Sequence, residues 1–129
     1  MPFRETPLET WLCSQLAARH IVSRKRGGRI ISISSIHEDV TMPTNAPYCA
    51  SKGAIRMVMR TIGVELAKCG ITVNDVCPGA IDTPTDAPLK RHATQYQALP
   101  VKIPLGRMGK PDAIRHVAKE RLALATDGR

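Results

Sequence analysis

Aromatic side chains are scarce in this chain of 129 residues, which holds one phenylalanine, one tryptophan and two tyrosines. Lys and Arg outnumber Asp and Glu by 19 to 11, for a net charge of +8, a balance that could attract nucleic acid. The basic residues are dispersed, however, and no basic stretch is interleaved with aromatic side chains. The densest basic run, residues 24–26, falls at an expected helix C-terminus, where cations complement the helix dipole. The composition therefore favours a solvated surface over a nucleic-acid site.

Cysteine pairs of the C-x-x-C type are absent, and the separations between the four cysteines match no common zinc spacing. We interpret the cysteines as packing residues, which suits a reducing cytosol: Cys13, Cys49, Cys69 and Cys77. No apolar run approaches the roughly 18 residues of a membrane span, and the N-terminus shows no signal-peptide pattern. These features predict a cytoplasmic protein with no membrane partner and no metal site.

What the chain does have is an alternation of helical and extended apolar patterns. The patterns predict a helix over residues 8–26, a strand over 29–35, a helix over 48–69, a strand over 71–77 and a last helix that starts near Pro111. Gly28 and Gly70 are stop signals between elements. Residues 36–47 are predicted as loop, and Pro47 disfavours helical geometry at Ala46. Residues 85–109 are predicted to form a partly helical, mobile excursion.

Strand, long helix and strand make a β-α-β unit, so the two strands should be parallel with a right-handed crossover. A parallel sheet needs helices on both faces. We expect helix 8–26 to cover one face and helix 48–69 to cover the other. The pattern predicts an α/β fold.

Three polar residues in this unit form a candidate proton-transfer site. Tyr48 and Lys52 are four residues apart on the long predicted helix, so they share one face. An ammonium beside the tyrosine hydroxyl stabilises the phenolate, which suits a general acid/base. Ser35 ends the first strand and could hold a substrate oxygen, whereas alternation turns the side chain of Ser34 the other way. Taken alone, a Tyr-x-x-x-Lys pair is more often only structural.

Three segments, in this order, resemble the short-chain dehydrogenase/reductase family: GRIISISS at 28–35, YCASKGA at 48–54 and GITVNDVCPGAIDTP at 70–84. Residues 35–38 and 104–111 are similar to the glucose 1-dehydrogenase branch. The resemblance implies a Rossmann-like, doubly wound fold and hydride transfer between NAD or NADP and a secondary alcohol or sugar anomeric hydroxyl. It implies that Ser35, Tyr48 and Lys52 are catalytic.

The resemblance also implies binding residues. Tyr48 and Lys52 would contact the nicotinamide ribose, and the other cofactor contacts would be Pro78, Gly79, Ile81 and Thr83. For Ile81 and Thr83, a simple turn is an equally good interpretation. His37 and Glu38 could contact the substrate, or they could be a solvated loop pair.

The Gly-rich turn that holds a dinucleotide pyrophosphate at a helix N-terminus is absent from the sequence. The chain therefore resembles the C-terminal, catalytic half of the family, and residues 1–129 are predicted to be one partial domain. We expect cofactor binding by this chain alone to be weak or absent. The alternative is a catalytically silent fragment that acts as a helix-mediated interaction module. In the family, the helices that match 8–26 and 48–69 form the subunit interface, which implies a homo-oligomer for the full-length protein.

Overall fold

The computed structural model describes residues 7–83 and 103–123. Within them, three α-helices and two β-strands follow one another along the chain. In chain order these elements are α1 (Pro7–Ser23), β1 (Gly28–Ile33), α2 (Ala46–Leu66), β2 (Ile71–Val76) and α3 (Pro111–Ala123). Short 3-10 helices lie at Ile36–Glu38 and Ala67–Cys69. Most of the predicted 85–109 excursion falls outside the described residues.

The two strands pair in parallel, as the sequence predicts, with α2 as the crossover between them. The register runs from Gly28 opposite Ile71 to Ile33 opposite Val76. The first strand ends two residues earlier than predicted, although the Ser34 amide still donates to the Val76 carbonyl at 2.9 Å. The carboxyl ends of both strands therefore meet at one edge of the sheet.

Helix ends differ from the sequence prediction at two places. α2 begins at Ala46 and not at residue 48, because Pro47 lies in the first turn, where a missing N–H costs no helical hydrogen bond. α1 ends at Ser23, and Lys25 and Gly27 both adopt positive φ. The basic run 24–26 thus forms the turn after α1 and not its last turn.

The core shows that the predicted arrangement of helices on the sheet was wrong. α1 and α2 pack against each other, with the Ser14 hydroxyl 4.0 Å from the Met59 sulfur. Both helices share one apolar cluster with the strands: Ala18, Ile30, Ile55, Met59, Ile62 and Ile71. Because Ile30 supplies the inward side chain of β1 to both helices, α1 and α2 lie on the same face.

α3 contacts both strands, and the Arg29 guanidinium donates to the Arg121 carbonyl. Arg29 precedes Ile30, so its side chain points to the opposite face of β1, which α3 covers. The helix starts at Pro111 as predicted and continues through the charged residues 119–121. Among the helices described, none combines the length and apolarity that a membrane crossing requires.

Candidate active site

The chain leaves β1 through two buried serines and turns at once into the 3-10 helix Ile36–Glu38. Ser35 has extended backbone geometry and caps this helix, because its Oγ accepts a hydrogen bond from the His37 amide at 3.2 Å. The Ser34 hydroxyl is buried and has no hydrogen-bond partner within the described parts of the chain. Ser35 is therefore fixed at the carboxyl edge of the sheet.

Tyr48 and Lys52 lie on the first turns of α2, with their side chains together. The Lys52 Nζ is 5.7 Å from the centre of the Tyr48 ring. Lys52 is 5% exposed and Tyr48 is 37% exposed, so the ammonium is buried while part of the phenol can meet a ligand. The helical spacing predicted from the sequence thus brings this pair together.

His37 joins the 3-10 helix to Tyr48. Its ring meets the Tyr48 ring edge-on, with centroids 6.0 Å apart and planes at 66°. The His37 Nδ1 lies 3.0 Å from the Val40 carbonyl oxygen, which fixes the orientation of the ring. The short helix after β1 therefore brings His37 against Tyr48, and Ser35 caps the same helix.

The loop after β2 lies beside the loop after β1. The Ile36 amide donates to the Pro78 carbonyl at 3.0 Å, and a Cβ built on Gly79 would lie 3.8 Å from the Ile36 side chain. Farther along, Ile81 forms a parallel bridge with Gly109, and the Asp82 amide donates to the Gly109 carbonyl at 2.9 Å. Pro78 and Gly79 thus lie at the same edge as Ser35. Ile81 and Thr83 lie farther along the chain, in the segment that pairs with residue 109.

Glu38 is buried in a cluster that the sequence analysis missed. Its side chain is 8% exposed and its Oε1 is 3.6 Å from the Arg56 Nε. Potential ligand atoms of Glu38, Asp75 and Cys77 all lie within 4.8 Å of one another; we call these three residues the carboxyl cluster. The one sequence signal was an aspartate inside the apolar strand β2. As a substrate contact, Glu38 stays a prediction.

Burial has strong electrostatic effects in the carboxyl cluster. Desolvation, then the nearby Glu38 carboxylate, raises the pKa of Asp75 from 3.8 to about 6. Desolvation, then a hydrogen bond to Glu38, raises the pKa of the Cys77 thiol from 9.0 to about 12. The thiol is therefore neutral near pH 7, which argues against a reactive cysteine here.

Tyr48, Lys52 and Gly79 are residues that could hold the nicotinamide end of a dinucleotide. Lys52 and Tyr48 place an ammonium and a hydroxyl at the carboxyl edge of the strands, where ligands of open parallel sheets bind, and these donors suit ribose hydroxyls. Among the described residues, a Cβ on Gly79 would meet one heavy atom within 4 Å, from the Ile36 side chain. No residue of the sequence supplies the Gly-rich turn for the pyrophosphate.

Comparison with known proteins identifies the family of the chain. The family model described as enoyl-(acyl carrier protein) reductase matches residues 9–128. The chain belongs to the short-chain dehydrogenase/reductase family. The resemblance inferred from the three sequence segments is thereby confirmed, and so is the Rossmann-like α/β fold class.

Curated members of the short-chain dehydrogenase/reductase family include two sugar-related relatives. Glucose 1-dehydrogenase 2 of Bacillus subtilis is 33% identical over 109 residues, which are 84% of this chain and 42% of that protein. 5-Keto-D-gluconate 5-reductase of Escherichia coli is 34% identical over 125 residues, covering 88% of this chain and 49% of that protein. The chain thus spans under half the length of the curated relatives it matches here.

Solved structures of family members superpose well on this chain. Acetoin dehydrogenase from Salmonella typhimurium gives a TM-score of 0.74 at 33% identity, over 92% of this chain and 45% of that one. Gluconate 5-dehydrogenase from Burkholderia cenocepacia, solved in complex with NADP and tartrate, gives 0.75 at 35% identity, over 81% and 41%. The fold of the described residues is therefore the fold of one part of these enzymes.

Proposed function

We propose that this chain carries the proton-transfer half of an NAD(P)-dependent oxidoreductase that acts on a secondary alcohol or a sugar anomeric hydroxyl. The observation that carries the proposal is the buried Lys52 Nζ, 5.7 Å from the centre of the half-exposed Tyr48 ring. A cation fixed beside a phenol stabilises its deprotonated form, as a general acid/base requires. The similarity to glucose 1-dehydrogenase 2 and gluconate 5-dehydrogenase supports the substrate class.

In this proposal, Tyr48 takes the proton from the substrate hydroxyl, or returns it in reduction. Lys52, beside the Tyr48 ring, stabilises the phenolate. Ser35, whose Oγ is held by the His37 amide, donates a hydrogen bond to the substrate oxygen. His37 packs edge-on to Tyr48 and lies where it could also contact the substrate.

Tyr48, Lys52, Pro78 and Gly79 would hold the nicotinamide end of the cofactor, and Ile81 and Thr83 would contact it farther along. The bound dinucleotide supplies the hydride chemistry. This chain contributes orientation: Pro78 is tied to Ile36, so the loops after β1 and β2 bound one shared space. The sequence holds no Gly-rich turn for the pyrophosphate.

The test compares the chain alone with a chimera. In the chimera, the chain is joined to the portion of the Bacillus subtilis glucose 1-dehydrogenase 2 that the match leaves uncovered. Nicotinamide absorbance is followed with NAD or NADP and a panel of aldoses and secondary alcohols. We expect no turnover from the chain alone, because catalysis by positioning, worth on the order of 7–11 kcal/mol, needs a bound cofactor. We expect turnover from the chimera.

The proposed function would be contradicted by a folded chimera that binds NADH in a fluorescence titration but turns over no member of the panel. Turnover by the chain alone that disappears in Tyr48→Phe would show that this half suffices without the second one.

A second candidate function is helix-mediated association. Large apolar side chains of α1 and α2 are exposed: Leu8, Leu12, Leu16, Met57 and Val64. Exposed apolar patches favour interfaces. Light scattering after size exclusion tests this candidate: we expect a defined oligomer that Leu16→Lys dissociates, and a monomer in both proteins would exclude it.

A further inference from the structure

The carboxyl cluster contains buried oxygens that lack hydrogen-bond donors. Glu38 Oε2 and both side-chain oxygens of Asp75 are buried, and none makes a hydrogen bond of normal geometry to a described residue, although interactions with Ser32 and Lys52 lower the pKa of Asp75 in part. Ionised carboxylates are acceptors only, so two of them face to face cannot satisfy each other. Leaving buried polar atoms unpaired is costly, which points to something that binds between them.

A proton fits this place better than a metal ion. One proton turns one carboxyl into a donor, and the two groups then hydrogen-bond directly, as in carboxyl pairs that share one proton. A divalent cation would have to approach Arg56, which already lies 3.6 Å from Glu38 and also pairs with Asp39. It would also have to displace the proton of the neutral Cys77 thiol.

We propose that Glu38 and Asp75 form a buried carboxyl pair that shares one proton and fastens the 3-10 helix Ile36–Glu38 to β2. The pair acts on the proposed reaction site through this helix, and in that respect the inference rests on the proposed function. Ser35 caps the helix and His37 packs on Tyr48. Glu38 and Asp75 are therefore positioning residues for Ser35 and His37.

The groups that face the pair come from three elements: Lys52 and Arg56 from α2, Ser32 from β1, and Cys77 after β2. Asp39 pairs with Arg56 on its exposed side. Desolvation, then the Glu38 charge, raises the pKa of Asp75 to about 6, above its usual 3.8. The folded state therefore keeps this proton at pH values where the unfolded state has lost it. The stabilisation by the pair is complete below about pH 4 and declines as pH rises to about 6.

The first experiment measures urea unfolding of the 129-residue chain from about pH 4 to pH 7. Asp75→Asn keeps the shape and supplies a permanent donor for Glu38. We expect its urea midpoint to rise relative to wild type as pH increases through about 4–6, because only wild type loses the shared proton. Asp39→Asn is the matched control: Asp39 contacts the same Arg56 but its side chain is 58% exposed. Its difference from wild type should not follow the pH dependence of the Asp75→Asn difference.

Two further measurements report on the position of the 3-10 helix and on the cluster itself. Amide protection factors of Glu38 and Val40 should fall between about pH 5 and 7 in wild type and stay level in Asp75→Asn. Alkylation of Cys77, mapped by mass spectrometry, should be at least about tenfold slower than that of exposed Cys13. Asp75→Asn should speed it, because a neighbouring negative charge is removed.

The proposal would be overturned if the urea midpoint depended on pH equally in wild type and Asp75→Asn. It would also be overturned if Cys77 were alkylated at the rate of Cys13, because that would show that the cluster is open to solvent. Stoichiometric Zn²⁺ binding that Asp75→Asn abolishes would assign the cluster to a metal instead. None of these readouts needs turnover. An inactive chimera would therefore refute the proposed function and leave the carboxyl pair standing.

Discussion

The backbones of Gly27 and Gly70 touch at the start of the two-stranded sheet. A Cβ on Gly27 would lie 2.7 Å from the Gly70 carbonyl oxygen, and the same oxygen accepts a hydrogen bond from the Gly28 amide at 3.2 Å. Both glycines have positive φ, 67° and 69°, which suits residues without a Cβ. This contact begins the register in which Gly28 lies opposite Ile71.

We expect Gly27→Ala to lower the free energy of unfolding by about 2–4 kcal/mol, as urea unfolding followed by Trp11 fluorescence would show. Gly106→Ala is the control, since Gly106 also has positive φ but a Cβ there would have no described heavy atom within 4 Å. That variant should lose only the cost of backbone strain, about 1 kcal/mol. Equal losses in the two variants would contradict the role of the close approach.

Ile55 is the centre of the apolar cluster shared by α1, α2 and the strands, and it is almost completely buried. We expect Ile55→Ala to reduce the free energy of unfolding by about 2–5 kcal/mol, through lost burial and a residual cavity. Met57 lies two residues away on the exposed side of the same helix, so Met57→Ala should change stability by less than about 0.5 kcal/mol. Similar losses in both would indicate that α2 packs with a different face.

Gly53 stands inside α2, where it adds backbone freedom to the unfolded chain. A Cβ at this position would meet the Glu38 carbonyl oxygen at 3.7 Å, an ordinary van der Waals distance. We therefore expect Gly53→Ala to raise the free energy of unfolding by about 0.5–1 kcal/mol. Thermal unfolding by circular dichroism would show the gain, and a lower midpoint would mean that the 3-10 helix approaches α2 more closely than described.

The parallel pair of strands could be predicted from the sequence because its signals are local. Apolar strand patterns bounded by Gly28 and Gly70, with one long helix between them, leave few topologies. The placement of α1 and α2 on one face could not be predicted from the two apolar stripes; it follows from the cluster that both helices share with Ile30 and from the Ser14–Met59 contact. The expectation that each helix covers its own face did not consider that the apolar stripes of α1 and α2 could pack against each other.

The candidate site likewise has one part that could be predicted from the sequence and one part that could not. Tyr48 and Lys52 are one helical turn apart, so their contact follows from spacing alone. The carboxyl cluster joins residue 38 to residues 75 and 77, and no periodic pattern connects positions that far apart. An aspartate within β2 was visible in the sequence, but its partners Glu38 and Arg56 depend on how the loop after β1 folds back onto α2.

The proposed roles of Tyr48 and Lys52 predict distinct kinetic effects in the chimera with glucose 1-dehydrogenase 2. Tyr48→Phe should lower kcat by about 10²–10⁴-fold, because it removes the proton-transfer group and keeps the ring that His37 contacts. Lys52→Met should also lower kcat and, in addition, weaken nicotinamide binding in a fluorescence titration with NADH.

Ser51→Ala is the matched control on the same turn, since Ser51 is buried but its hydroxyl bonds only the Tyr48 carbonyl in the described contacts, at 2.7 Å. It should change kcat by less than about tenfold. If Tyr48→Phe lost no more activity than Ser51→Ala, while both proteins bound NADH like the parent chimera, Tyr48 would not be the group that transfers the proton.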